Sequence, residues 1–407
     1  MSTVKNVSEN QVDYKLPFLI MVFLFFLIGF LTVVNQQFQA PLKSAFDLSN
    51  AQTTLLTFIF FIAYPIIGTP AGWLVDKFGY KKTLIIALFI LLIALAIFYL
   101  AAELVSFPIF LGGSFVVGSA LTILQVVVNP YISACGPADR ASNRLNLAGG
   151  MNSLGTVLAP LFVTFIIFGG KEVIEVNSVK IPYIGLMIAV VLIILAIKSF
   201  HLPHIPGTTR EAHTEGSSLQ YRHLVLGVIG IFFYVGAEVA VGANINLYLI
   251  KDLGYAGDTA SKLASLYWLG LMIGRLSSGF LMKEVSGEFQ LKIAAFAALI
   301  LSITGIVLTS LVPGIAPYAF VLIGLFHSVM WPCIFTLAIK DLGPHTSHGS
   351  GMLMIGVMGG AVIPFLQGWL ADTFANWQWT WILVVIAEAY IIYYALSGHK
   401  VIPPKKK

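Results

Sequence analysis

The chain has 407 residues, 58% of them hydrophobic and only 10% charged, with a formal net charge of +5. A soluble domain carries about 25% charged residues because its surface faces water, so a shell this poor in charge faces lipid. A secreted disulfide scaffold, a nucleic-acid-binding domain and a disordered regulator are thereby excluded, and two isolated cysteines, Cys135 and Cys333, make no disulfide framework and no metal site.

A helical membrane crossing needs roughly 20 apolar residues to traverse about 30 Å of hydrocarbon. The first apolar run, from Leu16 past Leu31, is too long for a signal-peptide core and has no A-x-A-like site after it, so it reads as the first span. Six spans are expected in the first half, at 16–41, 52–75, 82–103, 107–134, 144–168 and 182–200. Six more are expected at 222–250, 259–283, 290–312, 317–340, 349–371 and 377–397. The expected architecture is an all-α membrane protein of twelve transmembrane helices in two six-helix bundles. Its parts are an N-terminal bundle (1–200), a polar linker (201–221), a C-terminal bundle (222–398) and a basic tail (399–407). With both termini inside, Lys77, Lys81, Lys82, Arg140, Arg144, Lys198, Arg222 and the tail lysines fall on the cytoplasmic side. Only Lys43, Lys171, Lys180, Lys251 and Lys262 fall outside, which fixes the expected topology and makes the linker cytoplasmic.

The halves look like repeats. Gly155 to Pro160 reads GTVLAP in span 5 and Gly359 to Pro364 reads GGAVIP in span 11, each after a Gly-Pro loop. Two related halves place a binding site near the bilayer midplane between them.

Polar side chains inside hydrocarbon are costly unless they face a cavity or a partner, so they are the candidates. The charged ones are Glu238, Arg275 and Glu388. Arg275, near the end of span 8, is read as a structural residue that reaches the interface or pairs, and Glu388 as a helix-packing hydrogen bond. Glu238 has Tyr234 and Gly242 four residues to either side, and the glycine leaves room beside it. Amides are more numerous: Asn35, Gln36, Gln37 and Gln39 in span 1, Gln125 and Asn129 in span 4, Asn146 and Asn152 in span 5, Asn244 and Asn246 in span 7. His327 and Trp331 stand four apart in span 10. Amides both donate and accept, which suits a neutral polyhydroxylated ligand, and an indole face suits a pyranose ring. The alternative for each is interhelical glue; together they point to a shared cavity. No Walker-type phosphate loop, metal-ligand spacing or intramembrane hydrolase arrangement is present, so the chain is not expected to be an enzyme and no cofactor is expected.

The run Gly72-Trp-Leu-Val-Asp76-Lys77-Phe-Gly79-Tyr-Lys81-Lys82 resembles the G-x-x-x-D-(R/K)-x-G-(R/K)-(R/K) loop of the major facilitator superfamily. Gly72 permits close packing and Asp76 can meet the positive end of a neighbouring helix. By resemblance, Gly72, Asp76, Lys77, Lys81 and Lys82 form a gating latch on the cytoplasmic side. The segments LQVVVNPYISACGP, RLNLAGGMNSLGTVLAPLF, FFYVGAEVAVG and SVMWPCIFTLAIKDLGPHTSHGSG are similar to the fucose–glucose/galactose–hexuronate symporter branch. That resemblance implies the major facilitator fold and a monosaccharide symporter of the bacterial inner membrane, with sugar as the partner and a monomer as the working unit.

The departures from the branch matter. Fucose-type proton carriers hold an acid in span 1 and another in span 4, where Gln37 and Gln125 stand here; a glutamine usual in span 5 is replaced by Gly149, while Asn152 is kept. Glu238 is then the remaining candidate for ion coupling, to a proton or to sodium. The expected sugar contacts are Gln37, Gln125, Asn129, Asn152 and Trp331, with Asn35 and His327 as second choices. The first rival is an uncoupled sugar facilitator and the second a drug-efflux exporter of the same fold, against which the amide-rich spans argue. A sugar sensor would need an appended domain for which linker and tail leave no room.

Overall fold

The computed structural model describes residues 14–37, 46–47, 50–167, 180–205, 216–282 and 284–402, and every described element is helical. In chain order the crossings are α1 (Lys15–Gln37), α2 (50–78), α3 (80–103), α4 (Phe107–Ala134), α5 (Ala141–Leu161, continued by a π turn at Phe162–Ile167) and α6 (Lys180–Ser199). The second half runs α7 (Arg222–Lys251), α8 (Gly257–Leu281), α9 (Gly287–Leu311), α10 (Ala316–Ala338), α11 (Gly343–Phe374) and α12 (Gln378–Gly398). The chain therefore forms two six-helix bundles.

Nine described stretches are long and apolar enough to cross a membrane by composition alone. One of them, Leu55–Glu103, doubles back at Gly79 and holds both α2 and α3. Gly79 has φ 75°, which only glycine adopts without strain, so the reversal depends on it. The two helices missing from the apolar set are α5 and α8, which carry Asn143, Arg144, Asn146, Asn152, Lys262 and Arg275. These residues lower the mean hydropathy of the two helices; Asn143 and Asn146 are buried against protein, whereas Lys262 is exposed. Elsewhere the outer surface is apolar: Phe165, Ile181, Ile188, Leu192 and Phe365 are all strongly exposed, an arrangement stable against hydrocarbon and not against water. In α10 the regular helix is interrupted at Ser328–Val329; Pro332 has no N–H to give the Ser328 carbonyl, and the break precedes it by one turn.

The repeat read from the sequence is visible in the packing. A Cβ at Gly155 would lie 2.4 Å from the Phe26 carbonyl oxygen, and one at Gly359 would lie 1.9 Å from that of Phe232. The α1–α5 and α7–α11 crossings thus share one device, a glycine that lets backbones touch, followed by Pro160 and Pro364.

Across the midline, α2 packs on α11 and α5 on α8. At the end that carries the 201–221 linker these pairs close tightly. A Cβ on Gly68 would stand 2.5 Å from the Gly351 carbonyl, and one on Gly72 2.7 Å from that of Ser347. Asp76 accepts from Ser347 Oγ and faces His348 Nε2 at 3.2 Å. Both partners lie in the first turn of the regular helix of α11 (Thr346–Ile355), where the helix dipole favours an anion. On the α5–α8 side a polar seam repeats the closure. Asn146 Nδ2 donates to Ser278 Oγ (2.7 Å), Gln290 Nε2 to Asn143 Oδ1 (2.7 Å) and Asn143 Nδ2 to the Met282 carbonyl (2.7 Å). Arg140 caps the seam with two 2.8 Å contacts to Glu284.

The latch is narrower than the motif implies. Gly72 and Asp76 reach the other half. Lys81 instead donates to the Lys198 and Phe200 carbonyls (3.0 and 2.7 Å) at the end of α6 in its own half, a helix C-terminus that welcomes a cation. Lys77 lies over the Trp73 and Phe78 rings, and Lys82 is exposed.

Candidate functional site

Beyond the closed end, the halves enclose a cavity of about 810 Å³ lined by α1, α2, α4 and α5 from the first half and α7, α8, α10 and α11 from the second. Its volume suits a single sugar-sized molecule with water. On the side away from the linker, Val157 and Trp268 line it and are about half exposed.

Of the residues expected from sequence, Gln125, Asn152, Trp331 and Glu238 line this cavity. Gln125 Nε2 donates to the Tyr64 hydroxyl at 2.8 Å, and among the described residues its carbonyl oxygen is uncommitted. Asn152 Nδ2 donates to the Phe25 carbonyl at 2.9 Å, so it ties α5 to α1 while its other amide atom remains available. Trp331 stacks on Phe335 at 6.3 Å, with its neighbour Pro332 also at the wall.

Three expected contacts lie elsewhere. Asn35 is buried against α4, where it accepts from Ser114 Oγ at 2.9 Å. Asn129 is fully buried, and among the described residues neither of its amide atoms has a hydrogen-bond partner. It follows Gln125 by one helical turn, and that turn has already passed behind the cavity, where Ser350 of α11 donates to the Val126 carbonyl. His327 is fully buried and turns toward α8 and α12 rather than the cavity. Gln37 closes α1, but its side chain is outside the described residues.

Arg275 is the largest correction. The sequence reading gives it a structural role near a span end; the structure sets it in the cavity wall. Its Nη2 lies 3.1 Å from Glu238 Oε1, each side chain about 13% exposed, and its Nη1 donates to Ser153 Oγ on α5 at 2.9 Å. One guanidinium thus holds an acid of the second half and a hydroxyl of the first. Gly149, where the resembling branch has glutamine, makes the room: a Cβ there would meet Arg275 Cδ at 3.3 Å. The space beside Glu238 foreseen at Gly242 is filled by the Trp268 ring, 2.3 Å from where a Cβ would stand. Tyr64, Ser153, Thr156 and Trp268 are among the cavity residues that pattern reasoning missed. The two glycines were the available signal for Arg275 and Trp268.

Residues 17–362 match the description of the Major Facilitator Superfamily. The chain belongs to this superfamily. It is a multi-pass membrane transporter, not an enzyme. A glucose/galactose transporter of Brucella abortus (strain 9-941) is 37% identical over 403 residues, covering 97% of this chain and 96% of the relative. An L-fucose-proton symporter of Escherichia coli K12 is 29% identical over 422 residues, covering 96% and 94%. Among solved structures, the superfamily transporter FucP in the outward conformation superimposes with a TM-score of 0.85 at 26% identity, covering 95% of this chain and 99% of that one. These findings agree with the fold and the branch expected from the motifs.

Proposed function

We propose that this transporter takes up a neutral monosaccharide, a hexose or deoxyhexose such as glucose, galactose or fucose, by alternating access driven by a cation gradient. The observation that carries the reading is the division of the cavity wall into neutral amides and hydroxyls on one side and one carboxylate–guanidinium pair on the other. The names of its relatives point the same way. The Lys and Arg distribution supports a cytoplasmic linker and cytoplasmic termini, and the bacterial relatives support a place in the inner membrane. The closed linker end and the likeness to FucP then describe the state open to the outside. A single copy contains the whole cavity, which supports a monomer as the working unit.

In this state a sugar enters from outside. Its hydroxyls meet Gln125, Asn152 and Thr156, and its apolar ring face lies on Trp331 or Trp268. Arg275 bridges Ser153 and Glu238 across the α5–α8 interface. A cation arriving at Glu238, whether a proton on the carboxylate or a sodium ion sharing its oxygens, competes with Arg275 for that carboxylate. Its arrival loosens the bridge, and the polar seam beneath can part. Coupling then follows from one carboxylate having two exclusive partners, Arg275 and the cation. A second reading, an uncoupled facilitator, is favoured by one observation: neutral Gln125 faces the cavity where fucose-type carriers of the branch hold an acid.

The test is uptake of labelled glucose, galactose and fucose into proteoliposomes with an imposed proton gradient, a sodium gradient, or none. Accumulation that requires one gradient is the expected result and names the ion. Equal levels under all three conditions would establish the facilitator.

A further inference from the structure

The transport scheme above leaves one buried titratable cluster unused. His327 of α10 and Glu388 of α12 are both fully buried within the second half. His327 Nε2 lies 2.5 Å from Glu388 Oε1, and its Nδ1 lies 2.7 Å from the Tyr267 hydroxyl on α8. That hydroxyl donates to the backbone carbonyl of Glu238, 3.1 Å away. Among the described residues the other carboxylate oxygen of Glu388 has no hydrogen-bond partner.

An enclosed imidazole and carboxylate are neutral together when they share one labile proton and carry one negative charge without it. An unpaired charge in such surroundings is costly. Tyr267 has a single hydroxyl hydrogen to give. With the shared proton on the Nε2–Oε1 contact, the ring's other proton sits on Nδ1 and donates to Tyr267. The Tyr267 hydrogen is then free for the Glu238 carbonyl, and this arrangement satisfies all three contacts. When the shared proton leaves to water, the ring's remaining proton is held on Nε2 by Glu388. Nδ1 becomes an acceptor and Tyr267 turns its hydrogen to it. The Glu238 carbonyl keeps its helical bond within α7 and loses the second donor, the Tyr267 hydroxyl.

We propose that the His327–Glu388 pair is a second proton-binding site of this carrier, and that Tyr267 transmits its occupancy to α7 at the residue that faces the cavity. The site is separate from the Glu238 carboxylate, and its functional consequence rests on the reading of the cavity as a sugar site. The other titratable groups around it are few. From α7 come Tyr234, its ring 6.0 Å from that of His327, and Glu238; from α8 come Tyr267 and Arg275. On α9, Glu288 and Lys292 pair with each other at 2.5 Å near the linker end. The loaded pair fixes the carbonyl of Glu238, so it is the state that binds sugar more tightly, and affinity falls as pH rises through its titration.

The experiment labels histidine with 15N in nanodisc-embedded protein and follows the rings between pH 5 and 9. The His327 resonance is identified by its loss in His327→Gln or, should that variant not fold, by its displacement in Tyr267→Phe. The proposal predicts a protonated Nδ1 at acid pH that becomes bare at alkaline pH, a transition abolished by Glu388→Gln. An Nδ1 whose protonation does not change, or changes identically in Glu388→Gln, overturns the proposal whether or not any sugar binds. Binding of glucose, galactose and fucose, read from tryptophan fluorescence on the same samples, tests the transmission. Kd is expected to rise by up to about tenfold in all across the same transition, and to lose that dependence in Tyr267→Phe. An unchanged dependence in that variant overturns the role of Tyr267. Absence of sugar binding at every pH would instead count against the cavity reading.

Discussion

The side chains that the first half turns to the cavity are neutral: Tyr64, Gln125, Asn152, Ser153 and Thr156. Those of the second half include Glu238 and Arg275, flanked by Trp268 and Trp331. Both halves are built with the same glycine-mediated crossing, at Gly155 on α1 and at Gly359 on α7. A shared scaffold has therefore been lined in two ways. Amides can be directed at hydroxyls without changing charge, whereas a carboxylate and a guanidinium can exchange partners. On the proposed function, the first half recognises the sugar and the second responds to the cation. Arg275, bonded to Ser153, is where the two roles meet.

Three substitutions sharpen that contrast. The largest effect is expected from Arg275→Gln, which leaves Glu238 without its counter-charge in a nearly closed wall. Removing one partner of such a pair costs about 3–5 kcal/mol. The variant should show a lowered melting temperature and no transport, and adding Glu238→Gln should restore the stability but not the accumulation. An Arg275→Gln protein as stable as the parent would mean the pair is already solvated. A middle effect is expected for Gln125→Leu in the first half. The Tyr64 hydroxyl loses its partner and the sugar loses an amide, together worth about 1–3 kcal/mol. Sugar Kd should rise tenfold or more, with the gradient dependence of what transport remains unchanged; a changed dependence would break the division between the halves. The smallest belongs to Arg140→Ala at the closed end. Its partner Glu284 is about 80% exposed, so the loss should stay below about 1 kcal/mol and vanish in high salt. A strong transport defect there would show that the exposed pair, rather than the amide seam, holds the end shut.

The fold was legible because span length follows from bilayer thickness, and because Gly155 and Gly359 stand in matching hexapeptides. The site was legible where residue type and depth coincide, as at Gln125, Asn152, Trp331 and Glu238. It was not legible where the next turn of the same helix face is covered by a neighbour. Asn129 shares a helical face with Gln125, yet by that depth α4 packs under α11, and i, i+4 spacing carries no information about how far along the helix a cavity extends. His327 stands one turn from Trp331 in the same way, but the break at Ser328–Val329 separates them and His327 turns to Glu388. Arg275 was read as reaching the interface or pairing near a span end; it pairs, but in the cavity wall. What holds it inward is a partner on another helix, Glu238, together with the space at Gly149 on a third, and neither relation is local in sequence.

The measurement that bears most directly on this account compares uphill accumulation with sugar counterflow in Glu238→Gln proteoliposomes. The account predicts that accumulation disappears while counterflow of the same sugar continues, since recognition lies in the amides of the first half. Accumulation at the parent level would contradict it, and would move coupling away from the Glu238–Arg275 pair.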